Sequence, residues 1–285
     1  MVGSSTYRGK SYTFNHGVHP EEFKELSNTC KIQRMPFIEE YTLPLGQHIG
    51  ALSECLVKKG QEVKRGELIA KASGFISSAL HSPVDGTISY VGIVDTPKGE
   101  MQRGVRIKTN EFSNQIFNEE PINYTDLSEN QFVSAVQNAG IVGLGGAAFP
   151  SHVKFSIPKD KECKYIMLNG CECEPFLTAD HRTMVEYPES IIDGINILNH
   201  FIKAEKAYIA IEDNKPDAIS KLMHLAKEND FPIEVIKLKV KYPQGAEKMM
   251  ISAILNKEVP TGKLPIDLGV LVANVGTIKA LSDLF

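Results

Sequence analysis

Tyr165-Ile166-Met167-Leu168-Asn169-Gly170-Cys171-Glu172-Cys173-Glu174-Pro175 decides how the second half of the chain is read. Its first four residues form the short apolar run of a strand buried on both faces. The run stops at Asn169 and gives way to polar residues and a proline, so a loop begins where the strand leaves its sheet. Working outward, residues 190–202 carry apolar side chains at helical spacing. Ala207-Tyr208-Ile209-Ala210-Ile211 predicts a second strand, and residues 216–227 the helix after it. Residues 233–240 alternate, with Ile233, Val235, Leu238 and Val240 as the apolar markers, which predicts an edge or half-exposed strand. Residues 245–255 read as helix, 269–274 as a buried strand, and a last helix starts near Thr277. On the other side, Ser128-Glu129-Asn130-Gln131 is a capping-box signature, opening a helix that runs to about Asn138 and ends at Gly140. Strands alternating with helices predict a mostly parallel sheet covered by helices.

In such a sheet ligands bind at the carboxyl ends of the strands. Asn169 sits at such an end and can donate to a carbonyl or phosphate and accept from a ring N–H. Glu172 and Glu174 are two residues apart and face the same way if the chain is extended. As a pair they suit ribose hydroxyls; taken singly, each also fits a solvated loop. Tyr242-Pro243-Gln244-Gly245-Ala246-Glu247-Lys248 and Val272-Ala273-Asn274-Val275-Gly276-Thr277 join strand to helix in the same way. Asn274 and Thr277 lie where a helix N-terminus can hold phosphate, although each alone is an ordinary cap. The loop Gly143-Leu144-Gly145-Gly146-Ala147-Ala148-Phe149-Pro150 has three glycines in four residues. Its Gly143, Gly145 and Ala148 match G-x-G-x-x-A, but they follow a helix and not a strand, which rejects the ordinary dinucleotide fingerprint. Its successive bare N–H groups suit an anionic or flat ligand, and Ser151-His152-Val153-Lys154 after Pro150 can open a helix. A tight connection between helices remains the alternative.

Residues 36–109 differ: short β-like runs are separated by turn signals, with Gly60, Gly66 and Gly86 read as hairpin corners. The pattern is similar to the barrel-sandwich fold of biotinyl and lipoyl carriers, but the nearest lysine to the Gly74-Phe75 tip is Lys71. A carrier needs an exposed amine at the tip, so a structural β module is the better reading. His48 and His81 are not clustered with other ligand-type residues and read as structural. The chain has 285 residues, 42% hydrophobic and 23% charged, which suggests two domains of ordinary globular make-up. The net charge of −4 supplies no general attraction to nucleic acid or anionic lipid. No apolar run approaches the roughly 18 residues of a membrane span, so no direct span is expected. Five cysteines with no Cys-x-x-Cys argue against a disulfide framework and against any zinc or iron–sulfur ligand set within these residues.

Taken together, GLGGAAFPSHVK, NGCECEPFLTADHR, YPQGAEK and PTGKLPIDLGVLVANVGT resemble the C subunit of the Rnf ion-translocating electron-transport complex. Phe14-Asn15-His16-Gly17-Val18-His19-Pro20 and Pro44-Leu45-Gly46-Gln47-His48-Ile49-Gly50 extend the resemblance over nearly the whole chain. The second half is also similar, more distantly, to the NADH-oxidising flavoprotein of respiratory complex I. The resemblance implies an α/β protein: an N-terminal arm (1–35), a barrel-sandwich-hybrid-like β module (36–115), then a Rossmann-like α/β domain of the complex I flavoprotein type (120–285). It implies that Gly143, Gly145 and Gly146 admit the flavin of FMN and that Lys154 neutralises charge on it. Asn169 and Glu172 would contact the flavin, and Asn274 and Thr277 its phosphate end. Phe149, Glu174 and Glu247 would lie toward NADH. Hydride passes between nicotinamide and flavin, and no protein group is implied as a catalytic acid or base. Two positions depart from the complex I pattern: Ala148 replaces a glycine and Cys171 an acidic residue. The family continues into a β-grasp-like region and a ferredoxin-like segment for two [4Fe-4S] clusters. The sequence ends at Phe285 before them, so it reads as a fragment, peripheral on the cytoplasmic face of the bacterial inner membrane beside the other Rnf subunits. A non-catalytic scaffold with an empty flavin cleft is the alternative.

Overall fold

The computed structural model describes residues 10–117 and 121–285. Of the arm read from the sequence, residues 1–9 lie outside the described residues, as does residue 120 at the start of the α/β segment. The chain divides into two compact units.

One unit comprises residues 33–156 and 283–285. Its strands are β1 (Glu40–Pro44), β2 (Glu54–Cys55), β3 (Glu62–Val63), β4 (Leu68–Lys71), β5 (Leu80–His81), β6 (Gly86–Asp95) and β7 (Met101–Thr109). They form two antiparallel sheets, in the orders β1-β7-β6-β3 and β2-β4-β5. The core is β-branched: Val57, Val63, Ile69, Val84, Ile88, Val105 and Ile107. Such side chains pack well on a pleated surface. Gly60 and Gly66 sit in turns at φ +84°, as hairpin corners require. Gly86 does not: it is the first residue of β6, where a Cβ would fall 2.4 Å from the Lys108 carbonyl oxygen of the neighbouring strand. Close strand approach explains that glycine. Lys71 lies within β4 beside Glu54, and the Gly74–Ser77 tip is held by Gln137, which donates to the Gly74 and Ser77 carbonyls. No amine stands at the tip.

The same unit holds α1 (Glu129–Asn138) and α2 (Ser151–Phe155). Ser128 and Gln131 form the capping box expected of them, and Gly140 at φ +76° follows the helix end. Phe132, 1% exposed, stacks between Phe155 and Phe285.

The second unit comprises residues up to Ile32 and Ile157–Ser282. Its elements are β8 (Tyr165–Gly170), α3 (Ala179–Glu186), α4 (Pro188–Ile202), β9 (Lys206–Glu212), α5 (Pro216–Glu228), β10 (Ile233–Leu238), α6 (Glu247–Leu255), β11 (Val270–Asn274) and α7 (Val275–Leu284). The sheet is parallel throughout, in the order β10-β9-β8-β11, so β10 is an edge strand as its alternation predicts. From β8 the chain winds outward to β9 and β10, then returns to place β11 on the other side of β8. The order therefore reverses between β8 and β11, and crevices open at such switch points. There Asn169 and Asn274 are register partners at adjacent strand ends. Among the described residues no helix is long and apolar enough to cross a membrane.

Candidate functional site

The loop 143–150 is nearly pure backbone. Gly143 N–H donates to the Phe149 carbonyl (2.8 Å) and Ala148 N–H to the Gly143 carbonyl (3.1 Å), closing a tight turn whose residues Leu144, Gly145, Gly146 and Ala147 are exposed. What matters is why its glycines are glycines. A Cβ on Gly143 would meet only Phe149 backbone, at 3.5 Å, an ordinary contact, and a Cβ on Gly146 would meet nothing within 4 Å. Glycines elsewhere are crowded: a Cβ on Gly170 would lie 2.7 Å from Met184 Sδ, and one on Gly194 2.3 Å from the Ile278 carbonyl oxygen. Packing therefore explains Gly170 and Gly194 but not Gly143. Gly146 has φ +111° and Ala148 has φ +49°, so the alanine keeps the left-handed backbone that a glycine favours. Behind the loop, His152 is fully buried and donates through Nε2 to the Phe75 carbonyl at 2.6 Å. Burial pushes its pKa down, which keeps the ring neutral and leaves Nδ1 without a partner. Phe149 and Lys154 are half-buried in this unit.

In the other unit the strand-end loops converge on one rim, and most of their polar groups are committed to one another. Asn169 Nδ2 donates to the Gly245 carbonyl (2.8 Å), while its Oδ1 accepts from Cys171 N–H (2.9 Å). Gly245 N–H donates to Cys173 Sγ at 2.9 Å. Asn274 Nδ2 donates to Asp180 Oδ2 at 2.6 Å, and its Oδ1 caps α7 by accepting from Gly276 and Thr277 N–H. Thr277 is 2% exposed. Glu247 is half-buried at the first position of α6.

Glu172 and Glu174 do not face the same way. Glu172 is 5% exposed, and its carboxylate accepts from Asp180 N–H (2.8 Å) and His181 N–H (3.2 Å) at the start of α3, a helix the sequence periodicity did not reveal. A helix N-terminus with unsatisfied amides draws a carboxylate inward. Glu174 stays exposed on the loop. Beneath it, Glu212 at the end of β9 is fully buried and pairs with Lys215, 2% exposed, at 2.7 Å; it also accepts from Glu172 N–H at 3.0 Å. Glu212 Oε1 keeps no partner. Glu212-Asp213-Asn214-Lys215 ends a strand in the same way as Asn169 and Asn274, and that position was the available signal for it. Asp180 is pushed up to about 7 by burial and then by Glu172, against the hydrogen bond from Asn274. Burial raises the Cys173 thiol to about 11 and Cys171 well above its ordinary value, so neither is a thiolate at neutral pH. All five cysteines are unpaired, and no group of three or more His, Cys, Asp or Glu that could hold a metal occurs among the described residues.

Comparison with known proteins bears directly on these two regions. Residues 136–283 match the Nuo51 FMN-binding domain family, and residues 12–111 match the RnfC barrel sandwich hybrid domain family. The chain belongs to the Rnf C-subunit family. The RnfC-type relative from the proton-translocating ferredoxin:NAD(+) oxidoreductase complex of Clostridium ljungdahlii is 41% identical over 95% of this chain and 59% of its own length. Its counterpart from the Na(+)-translocating complex of Acetobacterium woodii is 40% identical over 96% of this chain and 62% of its own. The counterpart from the ion-translocating oxidoreductase complex of Haemophilus influenzae strain Rd is 37% identical over 96% of this chain and 33% of its own. The chain thus spans about three-fifths of the first two relatives. Both the barrel-sandwich module and the flavoprotein-type α/β architecture expected of this family are present.

Proposed function

We propose that this chain is the part of an electron-transport complex that binds FMN and NAD(H) and exchanges electrons between them. In the whole complex that exchange would be coupled to ferredoxin oxidoreduction and ion translocation. The observation that carries the reading is the loop 143–150, whose Gly143 has no packing reason to lack a side chain. A flat ring lying on the main chain supplies that reason. Bound FMN supplies the chemistry, taking a pair of electrons from NADH and releasing them singly.

The residues divide the remaining work. Gly143, Gly145 and Gly146 bind by leaving the backbone bare, and Lys154 balances anionic charge. Asn169 and Glu172 border the flavin, with Asn274 and Thr277 at its phosphate end. Phe149, Glu174 and Glu247 receive NADH. The protein would sit peripherally, on the cytoplasmic face of the membrane, through the other Rnf subunits, with [4Fe-4S] clusters carried by segments outside this chain. Purified protein titrated with FMN should quench flavin fluorescence, and NADH should then bleach the bound flavin. Protein that takes up no FMN overturns the reading. The commitment of Asn169, Glu172 and Asn274 to internal hydrogen bonds favours a second reading, a scaffold that holds no flavin, and that titration separates the two.

A further inference from the structure

The N-terminal arm contributes a buried lysine to the rim. Lys24 lies in a 3-10 turn (Lys24–Leu26), is 8% exposed, and directs its ammonium at the loop after β8. Nζ donates to the carbonyls of Glu172 (2.6 Å), Glu174 (2.8 Å) and Leu177 (2.8 Å). Three carbonyls from one six-residue stretch use all three donors of a single ammonium. Flanking contacts hold the turn in place. Phe23 stacks on Phe176 with centroids 4.9 Å apart and rings 9° from parallel, Phe176 N–H donates to the Glu22 carbonyl, and the Ser27 and Thr178 hydroxyls lie 2.8 Å apart. From the other end, the Glu172 carboxylate is pinned to the start of α3. Beside Lys24 a cavity of about 520 Å³, lined among others by Glu22, His181 and Lys215, leaves this side of the loop unpacked.

We infer that Lys24 is a positioning residue: its three hydrogen bonds hold the backbone of residues 172–177 in the shape from which Glu174 reaches the nicotinamide nucleotide. The inference rests on the proposed function for its ligand and on geometry alone for the clamp. A buried ammonium costs desolvation, and burial followed by Lys215 lowers the Lys24 pKa. That cost is met only while all three carbonyls stay in place, which makes the loop shape close to all-or-none.

Two variants and two measurements test it. In K24M the NADH Kd, measured on FMN-loaded protein, should rise about tenfold, the equivalent of one charge-assisted hydrogen bond, with the FMN Kd within about threefold of wild type. Hydrogen exchange of apo K24M should speed at residues 172–178 and stay unchanged in β8 and β9. F176L, which removes only the stack on Phe23, should show both effects in the same direction and smaller, and it serves as the test if K24M does not fold. Unchanged exchange at 172–178 overturns the clamp. Faster exchange with an unchanged NADH Kd, or equal losses of FMN and NADH affinity, overturns the positioning role. A wild type that binds neither ligand refutes the proposed function and equally removes the positioning role, while the exchange measurement still decides the clamp.

Discussion

The loop 143–150 and the rim of the parallel sheet carry similar signals in the sequence, small and polar residues gathered at an element's end, yet they are built in opposite ways. The loop is held by its own main chain and leaves its surface bare. The rim is crowded: Asn169, Glu172 and Asn274 each hold partners in neighbouring segments, over a buried Glu212–Lys215 pair. Substitution should therefore damage stability at the rim and ligand binding at the loop. A polar residue at a strand end is thus ambiguous until its partners are known, whereas a glycine with empty space around it is not.

The sharpest way to break that contrast is at the buried pair. K215M leaves the fully buried Glu212 carboxylate without its cation, and about 3–5 kcal/mol of stability should be lost in urea denaturation. A loss below about 1 kcal/mol would mean that water reaches the rim. E172Q comes next, costing about 1–3 kcal/mol, because it weakens the anchor of α3 at two backbone amides. Asp180 sharpens the contrast through pH. Its carboxyl titrates near 7 in the fold against an ordinary value of 3.8, so the native state holds the extra proton between those limits. Stability from this group therefore falls as pH rises from about 4 to 7, and D180N should flatten that slope. Equal slopes in the two proteins would show that Asp180 is ionised and solvated. The smallest effect belongs to the loop: A148G relieves a left-handed alanine at φ +49° and should gain about 1 kcal/mol.

Much of this fold was legible because its elements obey local rules. The apolar run at 165–168 and the alternation at 233–240 give a central and an edge strand, and the Ser128–Gln131 box gives a helix start. The helix α3 was not legible. Its eight residues are mostly polar, and its N-terminus is tied by a glutamate seven residues upstream of its first residue. For the same reason Glu172 and Glu174, spaced like a pair, part company once one of them caps a helix. Gly86 misled because a hairpin corner and a close strand contact call for the same residue. Lys24 gave no signal at all, since its three carbonyl partners lie some 150 residues away.

The most direct test of the account is a side chain placed where only a ligand would notice it. G143A adds a Cβ that meets nothing closer than 3.5 Å, so its melting temperature should match wild type while FMN affinity, read by flavin fluorescence, falls at least about tenfold. Unchanged FMN affinity in a stable G143A protein would contradict the claim that this bare loop is where the flavin lies.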